Sequence, residues 1–155
     1  MKLLIEPFVG FGDIYLGLSQ KEVQVRLGEP QSVDSEGYSD GTTNKIFKYP
    51  NLEIELTFSS EDDFRLSSIT FESVMTEFKG LRLIGLSEEG FLARADKLKI
   101  RDLVLESDFQ DLNSKDYVID SLGLSVWIQD GKVDSISLFP RYEDDNETVI
   151  WPEFE

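Results

Sequence analysis

The sequence contains no cysteine and no histidine. Without cysteine there is no disulfide framework, thiolate nucleophile, iron–sulfur cluster or cysteine-based zinc site. Without histidine the commonest general base, the commonest transition-metal ligand and the usual switch near neutral pH are missing together. Any catalysis would fall to carboxylates, Lys, Tyr or Ser, so the expectation is a chain that is not an enzyme and holds no metal or cofactor. Basic residues are also scarce. Fifteen Lys and Arg stand against 31 Asp and Glu in 155 residues, a formal charge of -16 spread over both halves. Such a field repels nucleic acid and anionic membrane and speeds encounter with a basic protein. It also keeps a protein soluble, an explanation that charge alone does not exclude. Long apolar runs are missing too. Near the N-terminus only Leu3, Leu4 and Ile5 separate Lys2 from Glu6-Pro7, far short of a secretory signal or membrane span, and a cytoplasmic protein is expected.

What is present is patterned. With 40% hydrophobic residues the chain can bury a core without staples. Leu18-Ser19-Gln20-Lys21-Glu22-Val23 has the form of a helix start: Ser19 caps, Glu22 closes a capping box, and Leu18 packs on Val23. Gly28 and Pro30 stop that helix after about two turns. Residues 31–44 are polar except for Val33 and Tyr38, which predicts a loop. Strands are predicted at Lys45 to Tyr49, then where Leu52, Ile54, Leu56 and Phe58 alternate with Glu53, Glu55 and Thr57. After a polar turn at Ser59 to Asp63, a further strand points Ile69 and Phe71 inward.

The second half repeats this order. Gly17-Leu18-Ser19 returns 68 residues on as Gly85-Leu86-Ser87, with Phe91 in the place of Val23. Leu66-Ser67-Ser68-Ile69 returns 67 residues on as Val133-Asp134-Ser135-Ile136. Between them Tyr117 to Ile119, then Leu124, Val126 and Ile128, then Ile136 and Leu138 match the earlier strands, the last two joined by an Asp130-Gly131 turn. Residues 96–114 replace the polar loop with a longer mixed segment, an extra strand or helix. The expected fold is α+β: two tandem units, 1–75 and 76–140, each a short helix plus an antiparallel sheet. Helices cover one sheet face and leave the other open. The acidic tail 141–155 carries Val149, Ile150, Trp151 and Phe154 and is expected to dock on the body.

Gly17-Leu18-Ser19, Val23 and Leu27-Gly28-Glu29-Pro30, followed by strands that close before a Val-x-x-Ile segment, resemble the tandem repeat of the β-lactamase inhibitor proteins and of SmpA/OmlA-type outer-membrane lipoproteins. The resemblance spans about residues 12–140. It implies short helices packed on an antiparallel sheet and a concave sheet surface offered to a partner protein. Ala95-Asp96-Lys97-Leu98 replaces the helix stop in the second copy, and the cysteines of secreted members are missing. The inhibitors' target and the lipoproteins' membrane role therefore do not carry over.

On the wet strand faces the candidate partner-binding residues are Glu53, Glu55 and Thr57 in the first copy and Ser125, Trp127 and Gln129 in the second. Trp127 is an exposed anchor, is covered by the tail, or belongs to the core face if the two faces are exchanged. Tyr38 in the polar loop and Tyr49 beside Glu53 and Glu55 extend the set, while Phe47 is assignable to either face. Glu61-Asp62-Asp63 and Glu143-Asp144-Asp145 are solvated turns or contacts for Lys and Arg of a partner; neither has calcium-loop spacing. These features favour a cytoplasmic immunity protein, a monomer that covers the active site of a cognate basic toxin in a one-to-one complex. A general adaptor or assembly factor is the alternative. A carboxylate hydrolase built on Glu53 and Glu55 is a third reading.

Overall fold

The computed structural model describes residues 2–153, so Phe154 of the tail lies outside the described residues. The protein is α+β, with two helices and a large antiparallel sheet of eight strands. A short hairpin, β1 (Gly10–Phe11) and β2 (Ile14–Tyr15), leads to α1 (Gln20–Leu27). Helix α1 begins as its capping pattern implies. The Ser19 hydroxyl accepts from the Glu22 N–H at 3.1 Å, and the Glu22 carboxylate accepts from the Ser19 N–H at 3.0 Å. It ends at Gly28, whose φ of +90° favours glycine and lets its N–H reach the Gln24 carbonyl. Four strands follow: β3 (Ser32–Gly37), β4 (Thr43–Tyr49), β5 (Ile54–Ser59) and β6 (Arg65–Phe71). After α2 (Glu88–Lys97) come β7 (Leu103–Phe109), β8 (Ser114–Ile119), β9 (Leu124–Gln129) and β10 (Lys132–Leu138). A last hairpin joins β11 (Arg141–Tyr142) to β12 (Val149–Ile150). The strands of the large sheet lie in the order β3-β4-β5-β6-β10-β9-β8-β7. Two four-strand meanders, each following a helix, therefore meet where β6 pairs with β10.

Alternation along each strand combines with register to make continuous rows. Tyr49, Ile54, Phe71, Ile136, Val126 and Tyr117 face one another in turn across six strands, and every one is buried. A second buried row runs Phe47, Leu56, Ile69, Leu138, Leu124 and Ile119. Onto these rows pack Leu3, Ile5, Phe11, Ile14, Leu16 and Leu18 from the N-terminal segment, Val23 and Phe91 from the helices, and Phe78, Leu83 and Ile84 from the connection between the meanders. Phe11 meets Phe71 edge-on at 5.5 Å, and Phe91 meets Tyr117 at 5.7 Å. Each fully buried Leu, Ile or Phe contributes about 1.5–3 kcal/mol, so the rows dominate stability.

Three expectations are corrected. Residues 31–44 are not simply a loop: β3 runs through them, held by its ladder to β4 although all its residues are exposed. Leu52 and Glu53 lie in the turn before β5, with Glu53 at φ +54°, so Glu53 is not on a strand face. Tyr49 is buried, because the four residues of that turn put it opposite Ile54 on the apolar side; Phe47 is buried beside it. The mixed segment 96–114, expected as an extra strand or helix, holds the end of α2, strand β7 and a short turn at Gln110–Leu112.

Helix α2 is tied to the sheet through Glu88, whose carboxylate accepts from Lys115 Nζ at 3.0 Å and from the Tyr117 hydroxyl at 2.5 Å. The Tyr117 bond, helped by Lys115, holds Glu88 below the usual carboxylate range. A depressed folded pKa stabilises above the unfolded value and is lost as pH falls through the folded one. Glu88→Gln should therefore cost about 1–2 kcal/mol in urea unfolding at pH 7, and much less below about pH 4. A cost independent of pH would show that the charge is immaterial.

Candidate functional site

Opposite the apolar rows runs a polar one: Lys48, Glu55, Thr70, Ser137, Ser125 and Val118 face one another across β4, β5, β6, β10, β9 and β8. All are half-buried, as are Thr57, Ser68 and Trp127 on the same side. The side chains are short at the centre, where the Thr70 and Ser137 hydroxyls lie 2.9 Å apart. The result is a shallow surface with larger groups at its two ends.

At the first end a recess of about 510 Å³ brings together residues far apart in the chain. Tyr38 comes from the β3–β4 turn, Glu61 and Asp62 from the β5–β6 turn, and Phe139 and Tyr142 from the segment after β10. Asn44 donates to the Tyr38 hydroxyl at 3.4 Å, and Ser67 donates to Asp62 at 2.7 Å. Burial raises the Tyr142 phenol above its ordinary range, and the charges of Asp62 and Glu61, which line the same recess, add to the shift. Three aromatic side chains beside three carboxylates, Glu61, Asp62 and the Thr42-bonded Asp40, suit a guanidinium or ammonium, which gains both ion pairing and contact with the ring faces. Asp63, in the left-handed turn position at φ +54°, lies outside the recess.

Beside it, a depression of about 640 Å³ contains Glu55 and Lys48. Lys48 Nζ is 2.8 Å from Asp34 and 3.7 Å from Glu55, so it partly neutralises both. Glu72 is held above the usual carboxylate range. Desolvation is the main cause, followed by a hydrogen bond and charge from Glu55, then the charges of Asp134 and Glu53. Of the carboxylate pair Glu53 and Glu55, only Glu55 lies on the strand face, because Glu53 sits in the turn before β5.

At the other end Trp127 stands on the polar side with its ring 5.9 Å from Phe109 of β7. Its Nε1 donates to Gln129 Oε1 at 3.2 Å. Gln129 also accepts from Ser114 at 2.6 Å and donates to the Leu112 carbonyl at 3.0 Å, so its amide serves as an internal brace. The tail's acidic cluster is largely a turn device: Asp145 accepts from Thr148 and Glu147, which pull it down to about 2. The sequence analysis does not single out Phe139, Tyr142 and Phe109, although Phe109 and Tyr142 are aromatic residues in acidic stretches.

No family model and no curated protein matches this chain. Among solved structures, it is similar to an extracellular protein containing a SCP domain from Bacillus anthracis str. Ames, with 8% identity and a TM-score of 0.45. That likeness covers 90% of this chain and 50% of the other, so the chain spans about half the length of that protein. It does not bear on the resemblance to the inhibitor and lipoprotein repeats. Among the described residues no helix is long and apolar enough to cross a membrane, and no group of three or more acidic residues is placed to hold a metal ion.

A raised folded pKa favours the fold below the ordinary carboxylate value, and that contribution is lost as pH rises through the folded one. Glu72→Gln should accordingly stabilise the protein at pH 7, by about 0.5 kcal/mol because the site is part-exposed. The gain should vanish near pH 4. Urea midpoints at the two pH values decide it; a variant less stable at pH 7 contradicts the assignment.

Proposed function

We propose that this chain is a non-enzymatic binding protein for a basic protein partner, and that its role is that of a cytoplasmic immunity protein neutralising a cognate toxin. The observation that carries this reading is the recess in which Tyr38, Phe139 and Tyr142 stand beside Glu61 and Asp62. At about 510 Å³ it has room for an Arg or Lys side chain. The surface around it is broad and shallow, as suits docking against another protein.

The scaffold is read as two tandem units, 1–75 and 76–140, with the tail 141–155 docked on them. Matching backbone bonds support this. The Gly17 N–H donates to the Leu66 carbonyl and the Leu66 N–H to Leu18; correspondingly the Gly85 N–H donates to Val133 and the Val133 N–H to Leu86. Thr70 pairs with Ser137, its own counterpart 67 residues on, as a two-fold relation between the units requires. Placement of both helices on the apolar side is favoured by the Tyr49 hydroxyl, which donates to the Gly28 carbonyl after α1 at 2.9 Å, and by Phe91 of α2 against Tyr117. In the tail, Trp151 packs against the core with the Arg65 guanidinium 5.7 Å over its ring.

A toxin that acts on nucleic acid holds its substrate with Lys and Arg. An acidic surface offers those groups the same charge as the substrate's phosphates, and one cation seated in the recess would fix the register of the complex. The formal charge of -16 accelerates encounter; the buried contact slows escape.

The test is titration with the purified product of the gene adjoining this one. A one-to-one complex is expected, with an association rate that falls at least tenfold between about 0.05 and 0.5 M salt. Tyr142→Ala should weaken it about 10–100-fold, mainly by faster dissociation. Glu61→Gln with Asp62→Asn should slow association. Flat salt dependence together with unchanged affinity of these variants contradicts the proposal.

A further inference from the structure

The two edges of the large sheet are built differently. At one, β3 is polar apart from Val33, and Asp34 is engaged with Lys48. That is how natural sheets blunt an edge. At the other, β7 opens with Leu103-Val104-Leu105, and no strand among the described residues pairs with its outer side. Val104 is 52% exposed, Leu105 44% and Phe109 44%, with Leu112 just beyond at 65%. Outward-facing N–H and carbonyl groups of such an edge are a template for another strand.

Charge narrows what that strand can be. The bulge where β7 shifts register against β8 holds Glu106, and Asp108 follows. A second copy pairing antiparallel there would bring these carboxylates together, between two molecules each of charge -16. The same residues attract an extended segment in which Lys or Arg alternates with apolar side chains. Its apolar residues on the polar-row side would meet Phe109, whose ring stands against Trp127, itself braced by Gln129.

We propose that the outer edge of β7 receives an extended, cationic strand from the partner, extending the eight-stranded sheet by one. This rests on the reading of a basic partner and adds the backbone contact through which it is held. The rings beside the edge select apolar side chains, while Glu106 and Asp108 select positive charge.

The experiment uses the full chain and three synthetic peptides of alternating pattern: a Lys/Val peptide, the same peptide N-methylated at alternate residues, and an uncharged Thr/Val peptide. Binding is followed by NMR and amide hydrogen exchange. The proposal expects the Lys/Val peptide to slow exchange of the outward-facing amides in residues 103–109 at least tenfold while leaving β3 unchanged. N-methylation should weaken binding at least tenfold. If the Lys/Val peptide binds but leaves β7 exchange unchanged and tolerates N-methylation, strand addition is overturned while the basic-partner reading stands. If the Thr/Val peptide protects β7 equally, the charge selection is overturned. Absence of binding by the Lys/Val peptide at millimolar concentration overturns the proposal outright.

Discussion

The pairing of β6 with β10 is the contact on which the rest depends. Three residue pairs, Ile69 with Leu138, Thr70 with Ser137 and Phe71 with Ile136, weld two four-stranded meanders into one sheet. The two apolar pairs carry the buried rows across the join, and the hydroxyl pair continues the polar row on the other side. A slip of one residue would bring Thr70 and Ser137 into the core and expose Phe71 and Ile136, so burial holds the register tightly. The welded sheet supplies a surface that neither meander could offer alone.

Local signals were the most legible in the sequence. The Ser19 and Ser87 caps, the Gly28 stop and the alternation of Ile54, Leu56 and Phe58 involve residues within a few positions of one another, and each has its expected form. Strand β3 was hidden because nothing in Ser32-Val33-Asp34-Ser35-Glu36-Gly37 alternates; its conformation comes from the ladder with β4. Tyr49 was misplaced for a related reason. Its side of the sheet is decided by the length of the turn before β5, and that turn absorbs Leu52 and Glu53, which the alternation had seemed to include in the strand.

The candidate site was legible only in pieces. Tyr38, Glu61 and Asp62 were visible as an odd aromatic and an acidic turn, but their meeting requires two hairpins to end at the same height on the sheet. Tyr142 and Phe139 complete the recess from beyond β10, a relation that no local pattern encodes. Trp127 was placed on its proper side by alternation, yet its neighbour Phe109 belongs to a strand that the sequence left open between helix and strand. Tertiary closure thus created the chemistry, while periodicity supplied the platform that carries it.

If one sheet, welded at β6 and β10, underlies both the core and the proposed docking surface, the two meanders should open only together. Native-state hydrogen exchange at increasing denaturant measures this directly. The amides of residues 69–71 and 136–138 should exchange last, with one common free energy equal to that of global unfolding. Separate opening energies for the two meanders, with early exchange at the junction, would contradict the account.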